Sequence, residues 1–260
     1  MSETVHTRVN GHIFEVTLDN PKANAIGAAV SRKMSAAFER FRDDPELRVA
    51  ILTGAGDKFF CTGWDLNEGA EENPDFDFGA GGFGGISRMW DLRKPVIAAV
   101  NGYCVAGGFE LALAADILVA SENAVFFLSE VNVGLTTGAP SVPRLLEKLP
   151  RGIAMELLFT GRKMDAREAL EHKMINRVTP QGHVMDAARE IAEQIAAAAP
   201  LSVQAEKEMI ALVGHLSVEE AGRYEANGML PTKTKVKYSE DGKEGARAFL
   251  EKRKPVWKGK

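Results

Sequence analysis

Pro-Val-Ile-Ala-Ala-Val-Asn-Gly-Tyr-Cys-Val-Ala-Gly-Gly-Phe-Glu-Leu-Ala-Leu-Ala-Ala-Asp, residues 95–116, is the stretch that decides the fold. Its first part, Pro95 to Val100, is a short apolar run that is typical of a buried strand. Asn101-Gly102 interrupts the run, and the Ala- and Leu-rich segment from Leu111 to Ala115 favours a helix. The glycine pair Gly107-Gly108 lies between the predicted strand and the predicted helix, so the helix begins close to it.

The backbone N–H groups at this junction are suited to binding an oxyanion. Glycine has no Cβ, so a ligand atom can come close to the main chain at Gly107. The first N–H groups of a helix lack partners within the helix and lie at the positive end of its dipole, which suits a developing oxyanion. Glu110 in the first turn could move a proton. A purely structural interpretation stays open, because glutamate is common in first helical turns.

Five segments together resemble the enoyl-CoA hydratase/isomerase (crotonase) superfamily across nearly the whole chain. They are Pro21–Ile26, Val49–Gly54, Phe59–Leu66, Pro95–Asp116 and Ser129–Gly134. Other segments are similar to the branch of the family that interconverts carnitinyl-CoA and crotonobetainyl-CoA. These are Phe41–Pro45, Gly63–Leu66, Asp75–Gly79 with Gly81–Phe83, and Glu251–Gly259.

The resemblance implies an α/β fold, the crotonase-like spiral of ββα units, with a C-terminal helical trimerisation region. We expect residues 1–198 to form the spiral core and residues 199–260 to form the helical region. No sequence repeat shows the spiral unaided. The implied assembly is a homotrimer or a dimer of trimers.

The resemblance also implies a pair of catalytic glutamates. In the hydratases of the superfamily two glutamates face each other across the Cα–Cβ bond of the substrate, and the matching residues here are Glu110 and Glu130. Adding water to a conjugated double bond needs a base for the water and an acid for Cα. The backbone N–H groups of Trp64 and Gly107 match the donors that hold the thioester enolate. Without the resemblance, Glu130 would be interpreted as a surface carboxylate. The sequence does not assign acid and base between the two glutamates.

Further contacts follow from the same resemblance. Gly138 matches a glycine near the attacking water. The residues that match coenzyme A contacts are Lys22, Ala23, Ala25, Asp65, Leu66 and Phe249. The chain departs from the family pattern at Ala106, Thr137 and Pro140-Ser141, where Gly, Pro and Gly-Gly are usual. We expect Pro140-Ser141, at a helix start, to affect which acyl group fits.

A carnitinyl substrate would carry a trimethylammonium group, which has no hydrogen to donate. Its recognition needs aromatic faces and nearby carboxylates. The sequence offers Phe83, Trp90 and Tyr103 as candidate rings, with Asp75 or Asp77 as the carboxylate. The alternative is that these rings only pack in the core or in loops.

Composition limits the class of protein. The 260 residues are 45% hydrophobic and 26% charged, with a net charge of −4, so we expect a globular enzyme with no nucleic-acid partner. Cys61 and Cys104 lie in buried-looking segments and fit a reducing compartment. The absence of a signal-peptide pattern and of a membrane-length apolar run predicts a cytoplasmic protein without a membrane partner. The expected partner is an acyl-CoA thioester, with no cofactor beyond the coenzyme A that the substrate carries.

Local patterns predict the other elements. Asn10-Gly11 predicts a hairpin between strands at 4–9 and 12–18. Further strands are expected at 48–53, 116–121, 124–128 and 176–179. Helices are expected at 28–42, 86–92, 140–149, 152–160, 165–172, 185–198, 201–215, 217–230 and 244–253. Capping boxes are predicted from Asp165 with Glu168 and from Ser217 with Glu220.

Other chemistries find little support. The run Gly79–Gly84 formally matches a dinucleotide fingerprint, but a loop precedes it where a strand is needed. A flexible lid over the substrate tail is the better interpretation of the acidic and glycine-rich segment 68–85. The histidines lack metal-ligand spacing.

A general enoyl-CoA hydratase or isomerase remains an alternative. A non-catalytic RNA-binding relative is a further one, against which both glutamates and the negative charge argue.

Overall fold

The computed structural model describes residues 3–260, and strands alternate with helices as far as residue 179. The strands are β1 Val5–Asn10, β2 Ile13–Leu18, β3 Val49–Gly54, β4 Phe59–Cys61, β5 Val96–Val100, β6 Tyr103–Val105, β7 Ile117–Ser121, β8 Val125–Phe127, β9 Met164–Asp165 and β10 Arg177–Thr179. The helices are α1 Ala28–Asp43, α2 Leu66–Gly69, α3 Gly107–Leu113, α4 Ser141–Lys148, α5 Arg151–Thr160, α6 Ala166–Glu171, α7 Val184–Ala197, α8 Pro200–Val213, α9 Val218–Ala226, α10 Pro231–Tyr238 and α11 Glu240–Leu250. Short 3-10 turns lie at Phe83–Gly85 and Glu130–Val133.

The larger sheet has the order β1-β2-β3-β5-β7-β10 and is parallel apart from the β1–β2 hairpin. The hairpin turns at Gly11, whose φ of +57° is accessible to glycine without strain. The hairpin predicted from Asn10-Gly11 is therefore confirmed. Strands β3 and β5 are buried along their whole length, which explains why their sequences are continuous apolar runs.

Side chains of the central strands alternate between two cores. One face of the sheet packs on α7, and the residues that meet there are Ile13, Val49, Ile51, Ile97, Ala99, Val119, Val184, Ala188 and Ala192. The opposite face joins the larger core, in which the rings of Phe14 and Phe41 stack 5.9 Å apart. This alternation fixes the register, because a slip of one residue would exchange the two faces of a strand.

Three successive strand pairs build a spiral. Strands β3, β5 and β7 are neighbours in the larger sheet, and the strands that follow them, β4, β6 and β8, are parallel neighbours in a smaller sheet of order β4-β6-β8-β9. A helix or helical turn follows each pair: α2, α3 and the 3-10 turn at Glu130–Val133. The succession matches the expected ββα units. The carboxyl ends of β4, β6 and β8 meet at one edge of the smaller sheet, and such an edge is where ligands bind in parallel sheets.

The predicted helix at 86–92 is wrong. The residues there form turns, because Gly84 and Gly85, with φ of +66° and +83°, reverse the chain just before them. The helix expected near residue 111 begins earlier, at Gly107, and ends at Leu113.

Of the two predicted capping boxes, one is complete and one is half formed. The Asp165 side chain accepts the backbone N–H of Glu168 at the start of α6, but the Glu168 carboxylate accepts hydrogen bonds from Arg162. Ser217 and Glu220 form a complete reciprocal capping box at the start of α9. Local signals of this kind identify helix starts because they act over only one turn.

The C-terminal helices differ from the prediction in their bounds. The predicted helix over 217–230 ends at Ala226, and Gly228 turns the chain with a φ of +69°. Helix α10 is a separate helix that the sequence analysis missed, and α11 begins at Glu240 rather than at residue 244. The expected domain boundary near residue 198 falls between α7 and α8. Within residues 3–260, none of the helices combines the length and apolarity needed to cross a bilayer.

Candidate active site

The predicted site residues lie in the segments that follow three strands of the smaller sheet. Trp64 comes shortly after β4, Gly107 and Glu110 come after β6, and Glu130 comes after β8. All four residues line one cavity of about 450 Å³, and Gly138 lines it as well. The fold therefore brings together residues that lie up to 74 positions apart in the chain, from 64 to 138.

The two residues whose backbone amides the resemblance implies as oxyanion donors, Trp64 and Gly107, both line the cavity. Trp64 forms a parallel bridge with Ile26, in which Ile26 bonds to the carbonyl of Gly63 and to the N–H of Asp65. In such a bridge the N–H of the middle residue, Trp64, points to the opposite side. A Cβ built on Gly63 would lie 2.7 Å from the backbone nitrogen of Gly107, so the chain next to Trp64 lies against the start of α3. The arrangement suits two amides that donate to one oxygen atom.

Glu110 is buried and held by hydrogen bonds on one carboxylate oxygen. Its Oε1 accepts the backbone N–H of Gly138 at 2.5 Å and the hydroxyl of Ser141 at 3.0 Å. Burial raises the pKa of Glu110, while both hydrogen bonds and the positive charge of Arg144 act to lower it. Hydrogen bonds that favour the charged form make Glu110 a carboxylate of fixed orientation.

Glu130 has a different environment. It lies in the 3-10 turn after β8 with 9% of its surface exposed, and its Oε2 has no hydrogen-bond partner among the described residues. Burial raises the pKa of Glu130 to about 7; its own backbone N–H opposes this rise and the charge of Glu110 adds to it. A carboxyl group that holds a proton near neutral pH and faces a cavity is a typical feature of an acid–base site.

Replacement of Glu130 by glutamine is expected to change how stability depends on pH. The free carboxyl titrates near 4.5 and the folded one near 7, so the folded protein binds more protons between these values and loses stability as the pH rises through them. Glutamine does not titrate. Glu130→Gln should therefore gain about 2 kcal/mol of unfolding free energy relative to wild type between about pH 5 and about pH 8, allowing for solvent at the cavity mouth.

Urea unfolding of both proteins at the two pH values measures this difference. Glu171→Gln, at an exposed glutamate on α6, is the matched control and should show no such change. A Glu130→Gln difference that stays constant with pH would contradict the assigned pKa.

Ser141 is a site residue that the sequence analysis did not identify. Its side chain is buried, and its hydroxyl lies 3.0 Å from Glu110 Oε1 and 2.8 Å from the carbonyl oxygen of Gly138. The departure from the family pattern at Pro140-Ser141 was the available signal, but it pointed to the acyl pocket. The contact with Glu110 depends on how α4 packs on α3, which local sequence does not reveal.

Arg144 holds the segment that carries Gly138 and Ser141. Its guanidinium donates to the carbonyl of Ala139 at 2.7 Å and to the carbonyl of Ser87 at 2.8 Å. Burial lowers the pKa of Arg144, and nearby carboxylates oppose this change. The Arg144 cation thus stabilises the segment 138–141 through its hydrogen bonds and the negative charge of Glu110 through electrostatic attraction.

Two predicted substrate-binding residues do not line this cavity. Trp90 is 69% exposed and lies under the guanidinium of Arg144, 5.4 Å from ring centroid to Cζ. It lines a separate cavity of about 200 Å³, because the turns at 86–92 carry it outward. Tyr103 is the first residue of β6, and its ring packs beside Phe59 at 5.8 Å. Phe83 does line the site, as do Phe76 and Phe78, which the sequence analysis did not select.

Of the residues predicted to contact coenzyme A, some line the cavity and others lie outside it. Ala25 and Leu66 line the cavity, and the carbonyl of Ala23 accepts the hydroxyl of Thr62, which is itself a lining residue. Asp65 caps α2. Lys22 lies in a neighbouring surface groove, and Phe249 is 84% exposed on α11.

The acidic segment before Phe83 is fastened to α1. Arg32 donates to Asp75 at 2.8 Å and approaches Asp77 at 3.8 Å. The hydroxyl of Ser31 donates to the carbonyl of Phe78 at 2.8 Å. These contacts place the segment over the cavity. Residues 70–78 form no strand before the glycine run Gly79–Gly84, in agreement with the rejection of a dinucleotide site.

Comparisons with known proteins give the family. Residues 8–260 match the family model described as enoyl-CoA hydratase/isomerase. The chain belongs to the enoyl-CoA hydratase/isomerase family. The family, the crotonase fold and the enzymatic class predicted from the sequence are thereby confirmed.

Relatives of known name and structure agree with this family. A carnitinyl-CoA dehydratase of Proteus mirabilis is 52% identical and one of Salmonella enteritidis is 54% identical, each over 100% of both chains. Among solved structures, an enoyl-CoA hydratase of Mycobacterium tuberculosis superposes with a TM-score of 0.91 at 39% identity, with 99% of each chain covered. An enoyl-CoA hydratase of Bacillus anthracis gives 0.89 at 32% identity, with 99% of this chain and 100% of the other covered.

Proposed function

We propose that this enzyme is a hydro-lyase that interconverts carnitinyl-CoA and crotonobetainyl-CoA by removing or adding water across the Cα–Cβ bond. The observation that carries the proposal is that Glu110 and Glu130 share one cavity with the amides of Trp64 and Gly107. The names of full-length relatives at 52% and 54% identity support the choice of acyl group.

In the proposed mechanism the two amides bind the thioester oxygen. When water attacks Cβ, the electron pair of the double bond moves through Cα onto that oxygen, which becomes an enolate. N–H donors that are already oriented stabilise the new charge without reorganisation. Trp64 and Gly107 would act through their main chain, so the indole ring is free to pack against other groups.

The environments of the two glutamates support a division of labour. Glu110, which accepts two hydrogen bonds, acts as the base and takes a proton from water as the water oxygen bonds to Cβ. Glu130, whose pKa of about 7 keeps it substantially protonated near neutrality, gives its proton to Cα. Dehydration follows the same path in reverse. A proton passing from Glu110 back to Glu130 restores the starting state.

Removal of the Ser141 hydroxyl is expected to shift the pH dependence of hydration. The hydroxyl favours the ionised form of Glu110, so Ser141→Ala should raise the pKa of Glu110 further and move the acidic limb of kcat/KM to higher pH. Ser141→Thr, which keeps the hydroxyl, should restore the limb. An unchanged pH profile in Ser141→Ala, with normal unfolding, would show that the hydroxyl does not act on Glu110.

Turnover of two substrates tests the proposed function. We expect crotonobetainyl-CoA to be hydrated with a higher kcat/KM than crotonyl-CoA, measured by loss of the conjugated enoyl-thioester absorbance. The reverse order would identify a general enoyl-CoA hydratase. Failure to hydrate either substrate would contradict the proposed activity altogether.

The proposal includes the remaining predictions about binding and assembly. Contacts with coenzyme A would come from the loops around Lys22, Ala23, Ala25, Asp65 and Leu66, with Phe249 reaching a neighbouring subunit, and no further cofactor takes part. The C-terminal helices expose the large apolar side chains Ile210, Val218, Tyr238, Phe249 and Leu250. Apolar surface of this kind supports a homotrimer or a dimer of trimers. Both cysteines are buried free thiols, which supports a reducing, cytoplasmic setting.

A further inference from the structure

The proposed substrate carries a permanent positive charge next to the reacting carbons. Its trimethylammonium nitrogen lies four covalent bonds from the thioester carbon, a distance of about 5 Å. The group cannot donate a hydrogen bond, so a protein recognises it with aromatic faces and with anions. The subsite must therefore lie within the same cavity as the oxyanion amides.

A continuous row of aromatic rings forms one wall of that cavity. Trp64 contacts Phe76 with ring centroids 5.4 Å apart, and Phe76 contacts Phe78 at 6.4 Å with an angle of 77° between the rings. Phe78 contacts Phe83 at 5.4 Å and 81°. All four rings line the cavity. Phe78 and Phe83 are nearly perpendicular and form an edge-to-face pair, which we call the corner.

One ring of this pair lies next to the proposed reaction centre. A Cβ built on Gly107 would come within 2.8 Å of Cε1 of Phe83, so the Phe83 ring packs directly against the amide proposed to hold the thioester oxygen. Phe83 is also nearly buried, at 8% exposure. A cation bound there would be largely desolvated, which strengthens its attraction to an aromatic ring.

The charge of the cavity favours a cation. The ionisable residues that line it are Glu110 and Glu130, of which Glu110 is the ionised base of the proposed mechanism, and none of the described lining residues is Lys or Arg. Arg144 is not a lining residue, and its guanidinium is engaged by the backbone carbonyls of Ala139 and Ser87. Asp75 is paired with Arg32 at 2.8 Å, and neither Asp75 nor Asp77 lines the cavity, so Glu110 is a better candidate for the anion than the lid carboxylates of the sequence-based hypothesis.

We propose that the corner formed by Phe78 and Phe83, with Phe76 and Trp64 toward the cavity mouth, is the subsite that recognises the quaternary ammonium group of the substrate. This inference rests on the proposed function and extends it from a reaction to a basis for substrate choice. Of the three rings selected from the sequence, only Phe83 lines the cavity, so Trp90 and Tyr103 are not part of the proposed subsite.

A neutral analogue isolates the contribution of charge. Replacing the trimethylammonium group of crotonobetainyl-CoA with tert-butyl keeps its shape and removes the positive charge. We expect wild type to prefer the cationic substrate over this analogue in kcat/KM. Phe83→Leu and Phe78→Leu should each reduce that ratio about tenfold, the scale of a desolvated cation–π contact. Phe159→Leu, at a 68% exposed ring on α5, should leave the ratio unchanged.

The possible outcomes separate the subsite from the proposed function. Equal rates for both substrates in wild type would overturn the subsite and leave the hydro-lyase in place. A ratio that is unchanged in both Phe variants would also overturn it. If wild type hydrates crotonyl-CoA but not crotonobetainyl-CoA, the proposed substrate fails and the subsite fails with it. The wild-type ratio needs no variant, so the test remains decisive even if a Phe variant does not fold.

Discussion

Glu130→Gln and Glu110→Gln should each lower kcat for hydration by about a hundredfold to ten-thousandfold, the usual contribution of a positioned acid or base. Glutamine keeps the size of the side chain but can neither accept a proton from water nor deliver one to Cα. Both variants should still bind substrate, because the amides of Trp64 and Gly107 are unchanged. The measurement is steady-state kcat and KM with crotonobetainyl-CoA, alongside unfolding curves.

The double variant sharpens this prediction. Since the two glutamates would act in the same addition step, Glu110 on the water and Glu130 at Cα, their effects should not be additive, and Glu110→Gln/Glu130→Gln should cost little more than the worse single variant. Glu171→Gln provides an exposed control. If either single variant retained nearly full kcat while folded, that glutamate would have no part in the chemistry.

Gly63→Ala should lower kcat by about a hundredfold to a thousandfold, comparable with the loss of an oxyanion donor. Gly63 has a φ of +89°, and a Cβ there would lie 2.7 Å from the backbone nitrogen of Gly107. The added methyl must displace one of the two amides or occupy the position of the thioester oxygen. The effect should appear mainly in kcat, because the enolate depends on both amides more than the ground-state thioester does.

Gly56→Ala is the matched control for backbone strain. Gly56 has a φ of +80°, but a Cβ there meets nothing within 4 Å. Both substitutions therefore impose a similar strain of about 1–2 kcal/mol, and only Gly63→Ala disturbs the amide pair. Equal activities of the two variants, when both are folded, would argue that the amides of Trp64 and Gly107 do not form the oxyanion hole.

Sequence patterns predicted those parts of the site that are carried by local signals. The strand and the helix predicted within residues 95–116 appear as β5 and α3, with Glu110 buried on α3, whereas β6 between them was not predicted. The family resemblance supplied Glu130 and Trp64, for which no local signal exists. Their convergence follows from the parallel order of β4, β6 and β8, which no repeat in the sequence reveals.

The aromatic wall could not be predicted for a different reason. Phe76 and Phe78 lie in an irregular segment without hydrophobic periodicity, and their position depends on the pairing of Arg32 with Asp75 and on the hydroxyl of Ser31. Trp90 was selected because it lies close to the site in sequence. The position of the Trp90 side chain depends on Gly84 and Gly85, which have left-handed backbone conformations, and on its contact with Arg144. Such contacts join distant segments, so local propensity does not register them.

The most direct test of the proposed chemistry is hydration of crotonobetainyl-CoA in water enriched in the heavy oxygen isotope and in deuterium. We predict one labelled oxygen at Cβ and one deuterium at Cα in the wild-type product, and incorporation of both labels at least about a hundredfold more slowly with Glu110→Gln/Glu130→Gln. Incorporation of both labels by the folded double variant at the wild-type rate would contradict the proposed chemistry.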